Sequence, residues 1–177
     1  MSATKARDIW RLRATLILFL SCNMMQNSTK NGIVKKIIHS ALKRLSMLEI
    51  KKIELTHVKN NCLKERMERA SSGISSEYIA FMDGIEVGVL SLEHWAKISS
   101  AFIYEIYVLP DYRRRGIGEK LLTFAEEEAI QLHCDHIKLE PNNFDKTVEL
   151  EKLISWYQKN GYQKMSLSNR FWIKTLV

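Results

Sequence analysis

The sequence predicts a mixed α/β domain (α+β in some schemes): a mostly antiparallel central sheet flanked by helices on both faces. Three observations carry that expectation. An apolar run from Ala101 to Val108 passes through a glycine turn, Arg113-Arg114-Arg115-Gly116-Ile117-Gly118, into a helical pattern at Leu121, Leu122, Phe124, Ala125 and Ala129, and then into a short strand at His136–Leu139. A strand–helix–strand unit crosses over to a parallel neighbour, so strands 101–108 and 136–139 belong side by side. Asp83-Gly84 between two apolar runs is a strong hairpin signal and adds antiparallel pairing. Finally, 177 residues with ordinary apolar content and two prolines suffice to bury one sizeable core.

The elements follow in order. Leu48 to Leu55 alternates loosely, as a first strand does. His57 to Ala70 reads as a helix on the partial stripe Val58, Cys62, Leu63 and Met67, ended by Ser71-Ser72-Gly73. Glu77–Met82 and Ile85–Leu92 form the hairpin arms, with Gly88 as an interior weak point or bulge. Ala101–Val108, helix Gly118–Gln131 and strand His136–Leu139 make the crossover unit. Val148–Lys159 is the last helix, stopped by Asn160-Gly161. Tyr162–Leu167 and Phe171–Leu176 pair through Ser168-Asn169 as a closing hairpin.

Charge divides the chain in two. Residues 1–46 hold nine Lys or Arg against one Asp, a net +8. Residues 47–177 hold eighteen against nineteen, a net −1, and together these give the +7 of the whole. The expected organisation is therefore a basic leader, 1–46, and a domain, 47–177, whose near-zero average charge weighs against a nucleic-acid surface. In the leader, Arg7, Arg11 and Arg13 precede the apolar run Ala14–Leu20, far short of the ~20 residues that span a bilayer. It reads as an upstream extension or a weak peripheral arm. Residues 33–48 carry an apolar stripe, Ile33, Val34, Ile37, Ile38, Ala41, Leu42, Leu45 and Leu48, among lysines and arginines. That pattern suits a helix docked on the core or on a second copy in a homodimer, or else a contact with a membrane or partner. Cys22, Cys62 and Cys134 are odd in number and lack CxxC spacing, so a reducing, cytoplasmic setting is expected. His133 and His136 flank Cys134 but straddle a helix end and a strand start, so no metal site is expected.

The glycine turn is the most informative segment. Its backbone N–H groups sit at a helix N-terminus, where they suit a phosphate or pyrophosphate, and glycine lets an anion approach without a Cβ in the way. Arg113, Gly116 and Gly118 fall on the pattern Gln/Arg, two residues, Gly, one residue, Gly/Ala. This resembles the acyl-CoA signature of the GCN5-related N-acetyltransferase superfamily. The resemblance covers roughly Met47 to Val177 and is strongest at 103–122 and 156–162.

The resemblance implies an acyl-CoA N-acyltransferase-like fold with acetyl-CoA as cosubstrate. The N–H groups of Arg114, Arg115, Gly116, Ile117, Gly118 and Glu119 would hold the pyrophosphate, with Arg113 and Arg114 adding side-chain charge. The backbone of Ile106, Tyr107 and Val108 would hold the pantetheine arm in a gap beside that strand, with Asn143 touching the same arm. Trp156-Tyr157-Gln158-Lys159-Asn160-Gly161-Tyr162 is similar to the family's tyrosine, three residues, glycine, aromatic run, which makes Tyr157 the proton donor to the leaving thiolate. Glu105, a carboxylate in an apolar and aromatic strand, calls for an explanation. It either takes a proton from the amine or orients the substrate, or it pairs with an arginine of the turn or is simply exposed. Glu140 and Asp145 either line the acceptor entrance or only solubilise their loop. Trp95 and Trp172 either shape the acceptor pocket or pack.

The expected activity is N-acetyl transfer from acetyl-CoA to a primary amine by direct attack. The acceptor is a small cationic molecule, a protein N-terminus or lysine, or an aminoacyl-tRNA. The alternative is a non-catalytic coenzyme A sensor or interaction module on the same scaffold.

Overall fold

A computed structural model describes residues 48–70, 74–166, 168 and 170–176; the leader and the helix stop at 71–73 lie outside these residues. Seven strands form one sheet in the order β1-β2-β3-β4-β5-β7-β6, where β1 is Leu48–Lys52, β2 Ser75–Met82, β3 Ile85–Trp95, β4 Ser100–Val108, β5 His136–Leu139, β6 Gln163–Lys164 and β7 Trp172–Thr175. Among the described residues there are three α-helices: α1 (Asn61–Ala70), α2 (Ile117–Gln131) and α3 (Leu150–Lys159). Five of the six pairings are antiparallel, and β4–β5 is the parallel one that the crossover unit requires.

The sheet buries both faces. On one, Tyr78, Ala80, Leu90 and Ile103 pack with Leu121 and Ala125 of α2 and Tyr157 of α3. On the other, Ile79 and Val89 pack with Leu63 and Met67 of α1. The neighbours Tyr78/Ile79 and Val89/Leu90 go to opposite sides, as the period-two alternation of a strand demands.

The β2–β3 turn has φ of 52° at Asp83 and 82° at Gly84, the double left-handed geometry of a type I′ turn. Within β3, Ala80 faces Gly88 while Phe81 faces Glu86, so Val87 is an extra residue beside Gly88. A Cβ at Gly88 would sit 2.8 Å from the Tyr107 carbonyl oxygen, so glycine there lets β4 approach closely.

Three expectations are corrected. The first helix begins at Asn61, not His57; residues Leu55–His57 form a separate 3-10 turn. The Asn60 side chain accepts from the Leu63 N–H (3.2 Å), and the Glu86 carboxylate accepts from the N–H groups of Lys59 (3.0 Å) and Asn60 (2.7 Å). These bonds fix the helix start. β3 runs on to Trp95, three residues past the predicted end. The closing hairpin is short: β6 has two residues, and β7 lies between β5 and β6.

Candidate functional site

β4 and β5 pair over four positions only, from Ser100↔His136 to Ile103↔Leu139. β5 then ends, while β4 continues five residues to Val108, paired on its other side with β3. The sheet therefore opens between the two strands. Ile106, Tyr107 and Val108 line one wall of this cleft, and Asn142 to Asp145 with Val148 line the other.

A bulge decides which side chains reach the cleft. Ser91 faces Glu105 but Leu92 faces Ile103, so Tyr104 is the extra residue. In an unbroken strand Ile103 and Glu105 would share a face. The bulge shifts the phase: Ile103 and Ile106 pack toward α2, whereas Glu105 turns toward α1. There its carboxylate, 4% exposed, is ion-paired with Arg66 and accepts from Arg69 Nη2 at 3.2 and 3.3 Å. The Arg66 guanidinium lies 3.5 Å from the Tyr107 ring centroid, a cation–π contact. Of the readings open for Glu105, the structure realises an ion pair, but with arginines of α1 rather than of the glycine turn. Beside it on the same face, Glu77 accepts from the Ser91 hydroxyl, and burial pushes its carboxyl up.

Beyond Val108 the chain makes a 3-10 turn, Pro110–Tyr112, and reaches Arg114 at φ 62° and Gly116 at φ 80°. Gly116 precedes α2 with no side-chain cap, and a Cβ built on it meets nothing within 4 Å. The Arg113 N–H bonds Pro110 O and the Lys120 N–H bonds Gly116 O. Among the described residues, no backbone carbonyl takes the amides from Arg114 to Glu119. The first-turn amides of a helix have no intrahelical partner and carry the positive end of its dipole, so this corner fits an anion such as a pyrophosphate.

Arg113 is committed to protein groups. Its Nε donates to Val108 O (2.9 Å) and its Nη1 to Thr147 Oγ1 (3.1 Å), and Nη2 is ion-paired with Asp145. That bond set ties the corner to the loop after β5 across the open end of the cleft, and holds the Asp145 carboxyl well below the usual carboxylate range. Arg115 donates to Asp111 O (2.8 Å), and Arg114 is exposed. Asn143 lines the cleft while its amide donates to Val148 O (3.3 Å).

Tyr157 also lines the cleft, although it is only 5% exposed. Burial first, and the Glu105 charge second, push its phenol up, so the group stays protonated across the neutral range. The helix stop places it. Gly161 has φ 88°, and the N–H groups of Gly161 and Tyr162 return to the carbonyls of Gln158 (3.0 Å) and Tyr157 (3.1 Å). This is a Schellman closure, and it sets the Tyr162 ring edge-on to Tyr157 with centroids 5.7 Å apart.

Both tryptophans left open by the sequence pack: Trp95 stacks on Phe102 (5.0 Å, 3°), and Trp172 is buried in the core. Glu140 and Asp145 line the cleft, each bound to an arginine, Arg170 and Arg113 respectively. The sequence reading missed Arg66 and Arg69. Their i, i+3 spacing on a predicted helix was the available signal, but only the fold brings them to Glu105. Among the described residues, no group of three His, Cys, Asp or Glu side chains is placed to hold a metal ion, and no helix is long and apolar enough to cross a membrane.

Comparison with known proteins adds the following. The acetyltransferase (GNAT) domain family matches residues 75–164. The structure is similar to IAA acetyltransferase from Bacillus cereus (19% identity, 73% of this chain and 99% of that one, TM-score 0.59). It is likewise similar to a GNAT family acetyltransferase from Elizabethkingia anophelis with acetyl-CoA bound (15% identity, 72% and 97%, TM-score 0.59). A third similar structure is PaiA N-acetyltransferase from Thermoplasma acidophilum in complex with coenzyme A (18% identity, 73% and 99%, TM-score 0.54). No curated protein matches the sequence.

Proposed function

The chain belongs to the acetyltransferase (GNAT) domain family, and on that premise we propose that it moves an acetyl group from acetyl-CoA to a primary amine by direct attack. One observation carries the reading: the sheet opens between β4 and β5 beside a helix N-terminus whose amides no backbone carbonyl of the described residues claims. Acetyl-CoA supplies the acetyl group as an activated thioester. The amides from Arg114 to Glu119 hold its pyrophosphate, with the exposed Arg114 adding charge. The β4 edge at Ile106–Val108 and Asn143 hold the pantetheine arm, and a β4 amide stabilises the developing oxyanion.

Tyr157 gives its phenolic proton to the departing sulfur, and its burial keeps that proton in place until the thiolate forms. Glu105, fixed by Arg66 and Arg69, receives the proton shed by the amine, directly or through a water. The acceptor is a small molecule or a protein amine, with an aminoacyl-tRNA the less favoured class, and the reaction belongs in the cytoplasm.

The test is release of coenzyme A from acetyl-CoA across an amine panel, with an acceptor-free control. In a Tyr157→Phe variant kcat should fall about a hundredfold while coenzyme A affinity holds. Unchanged turnover removes the proton-donor role, and failure of the wild type to bind coenzyme A sinks the whole reading. The commitment of Glu105 to two arginines favours one second reading, a coenzyme A-binding sensor. Tight coenzyme A binding without release on any amine would select it.

A further inference from the structure

Three carboxylates line the cleft, and each is already neutralised. Glu105 is held by Arg66 and Arg69, Asp145 by Arg113, and Glu140 by Arg170. An incoming ammonium at Glu105 would have to compete with Arg69, which is half exposed, and with the more buried Arg66. That side chain is 12% exposed, and stripping its carboxylate would leave a nearly buried cation with the Tyr107 ring and the Cys62 sulfur beside it. Breaking a buried pair in this way is strongly unfavourable. At the other two carboxylates a ligand ammonium would compete with an arginine already in place, the partly buried Arg113 at Asp145 and the exposed Arg170 at Glu140.

The cleft does offer apolar surface. Tyr104, turned out by the β4 bulge, and Phe144, on the loop after β5, both line it, and they are 37% and 48% exposed. Two aromatic side chains this exposed at a concave site, Phe144 with the Arg69 guanidinium 5.5 Å from its ring centroid, are suited to pack against an apolar or aromatic ligand body.

From these observations, and resting on the acetyl-transfer reading above, we propose that the acceptor is a monoamine with an aromatic or apolar body, and not a polycation. Tyr104 and Phe144 bind that body. No unpaired carboxylate waits to hold an ammonium, so the amine reacts from its neutral form.

The test uses the full chain with acetyl-CoA and three acceptors: 2-phenylethylamine, spermidine and kanamycin. The expected kcat/KM for 2-phenylethylamine exceeds that of either polycation at least about tenfold. It should also rise between about pH 7 and pH 9.5, as more of an amine with an ordinary pKa near 10 is deprotonated. Phe144→Ala should raise KM for 2-phenylethylamine about fivefold, more than it raises KM for spermidine. A preference for spermidine or kanamycin overturns the proposal. Calorimetric titration of the amines into coenzyme A-saturated protein separates it from the reading beneath it. If no amine is acetylated, the transfer reading fails, while tighter binding of 2-phenylethylamine than of spermidine still upholds the preference. The reverse order, or no binding of either amine, overturns it.

Discussion

Two helices of this domain begin in opposite ways. At the start of α1 the exposed donors are answered from within: Asn60 caps Leu63, and the buried Glu86 carboxylate, reaching over from β3, takes the amides of Lys59 and Asn60. At the start of α2, among the described residues, there is no capping side chain, only Gly116 at φ 80° and a run of amides that no backbone carbonyl takes. Both ends carry the same partial positive charge. The protein spends one on its own carboxylate to lock α1, and with it Arg66 and Arg69, against the sheet. The other stands beside the cleft. A helix end that the chain completes itself is structural, and one left open to an outside anion is the place to look for binding.

Substitutions at the two ends should separate these roles. Gly116→Val is the most disruptive for binding, because a β-branched residue is strained at φ 80° even though its Cβ would meet nothing. Coenzyme A affinity by calorimetry should fall about a hundredfold, at a stability cost of roughly 1–3 kcal/mol. A folded variant with unchanged affinity would erase the distinction between the two ends. Glu86→Ala should do the reverse. Urea unfolding should show a loss of about 2–3 kcal/mol from two orphaned amide donors, with coenzyme A affinity held within about twofold. Asn60→Ala should cost about 1 kcal/mol by the same measurement, again without a binding defect.

The smallest effect concerns Asp145, which the Arg113 guanidinium and Thr147 hold well below the ordinary carboxylate range. A group depressed in the folded state stabilises the fold fully above its unfolded value, near 3.9, and loses that contribution as pH falls toward the folded value. Asp145→Asn should therefore be less stable than wild type at pH 6, with the gap closing as unfolding is repeated down to about pH 3. A gap that widens on acidification would show that the pair does not stabilise the corner.

Much of this was legible in the chain. The order of elements followed from periodicity and turn chemistry, because Asp83-Gly84 and Asn160-Gly161 use residues that accept a left-handed backbone at low cost. The glycine corner was legible for the same reason. The start of α1 was not, since its decisive partner, Glu86, lies 26 residues after Asn60 in sequence. Arg113 was read as free charge for the cofactor, but its partners Asp145 and Thr147 lie more than thirty residues away and meet it only across the opened sheet.

By itself the sequence determined which segments are strands and helices, where the chain must turn, and that a glycine turn leads one strand into a helix. These are local matters of side-chain period and backbone freedom. Only the tertiary structure decided that β5 stops while β4 runs on, and that an extra residue at Tyr104 rotates Glu105 out of phase with Ile103 and onto the arginines of α1. Register and bulges depend on how neighbouring strands meet, and a run of alternating residues contains nothing that says where its partner will let the alternation slip.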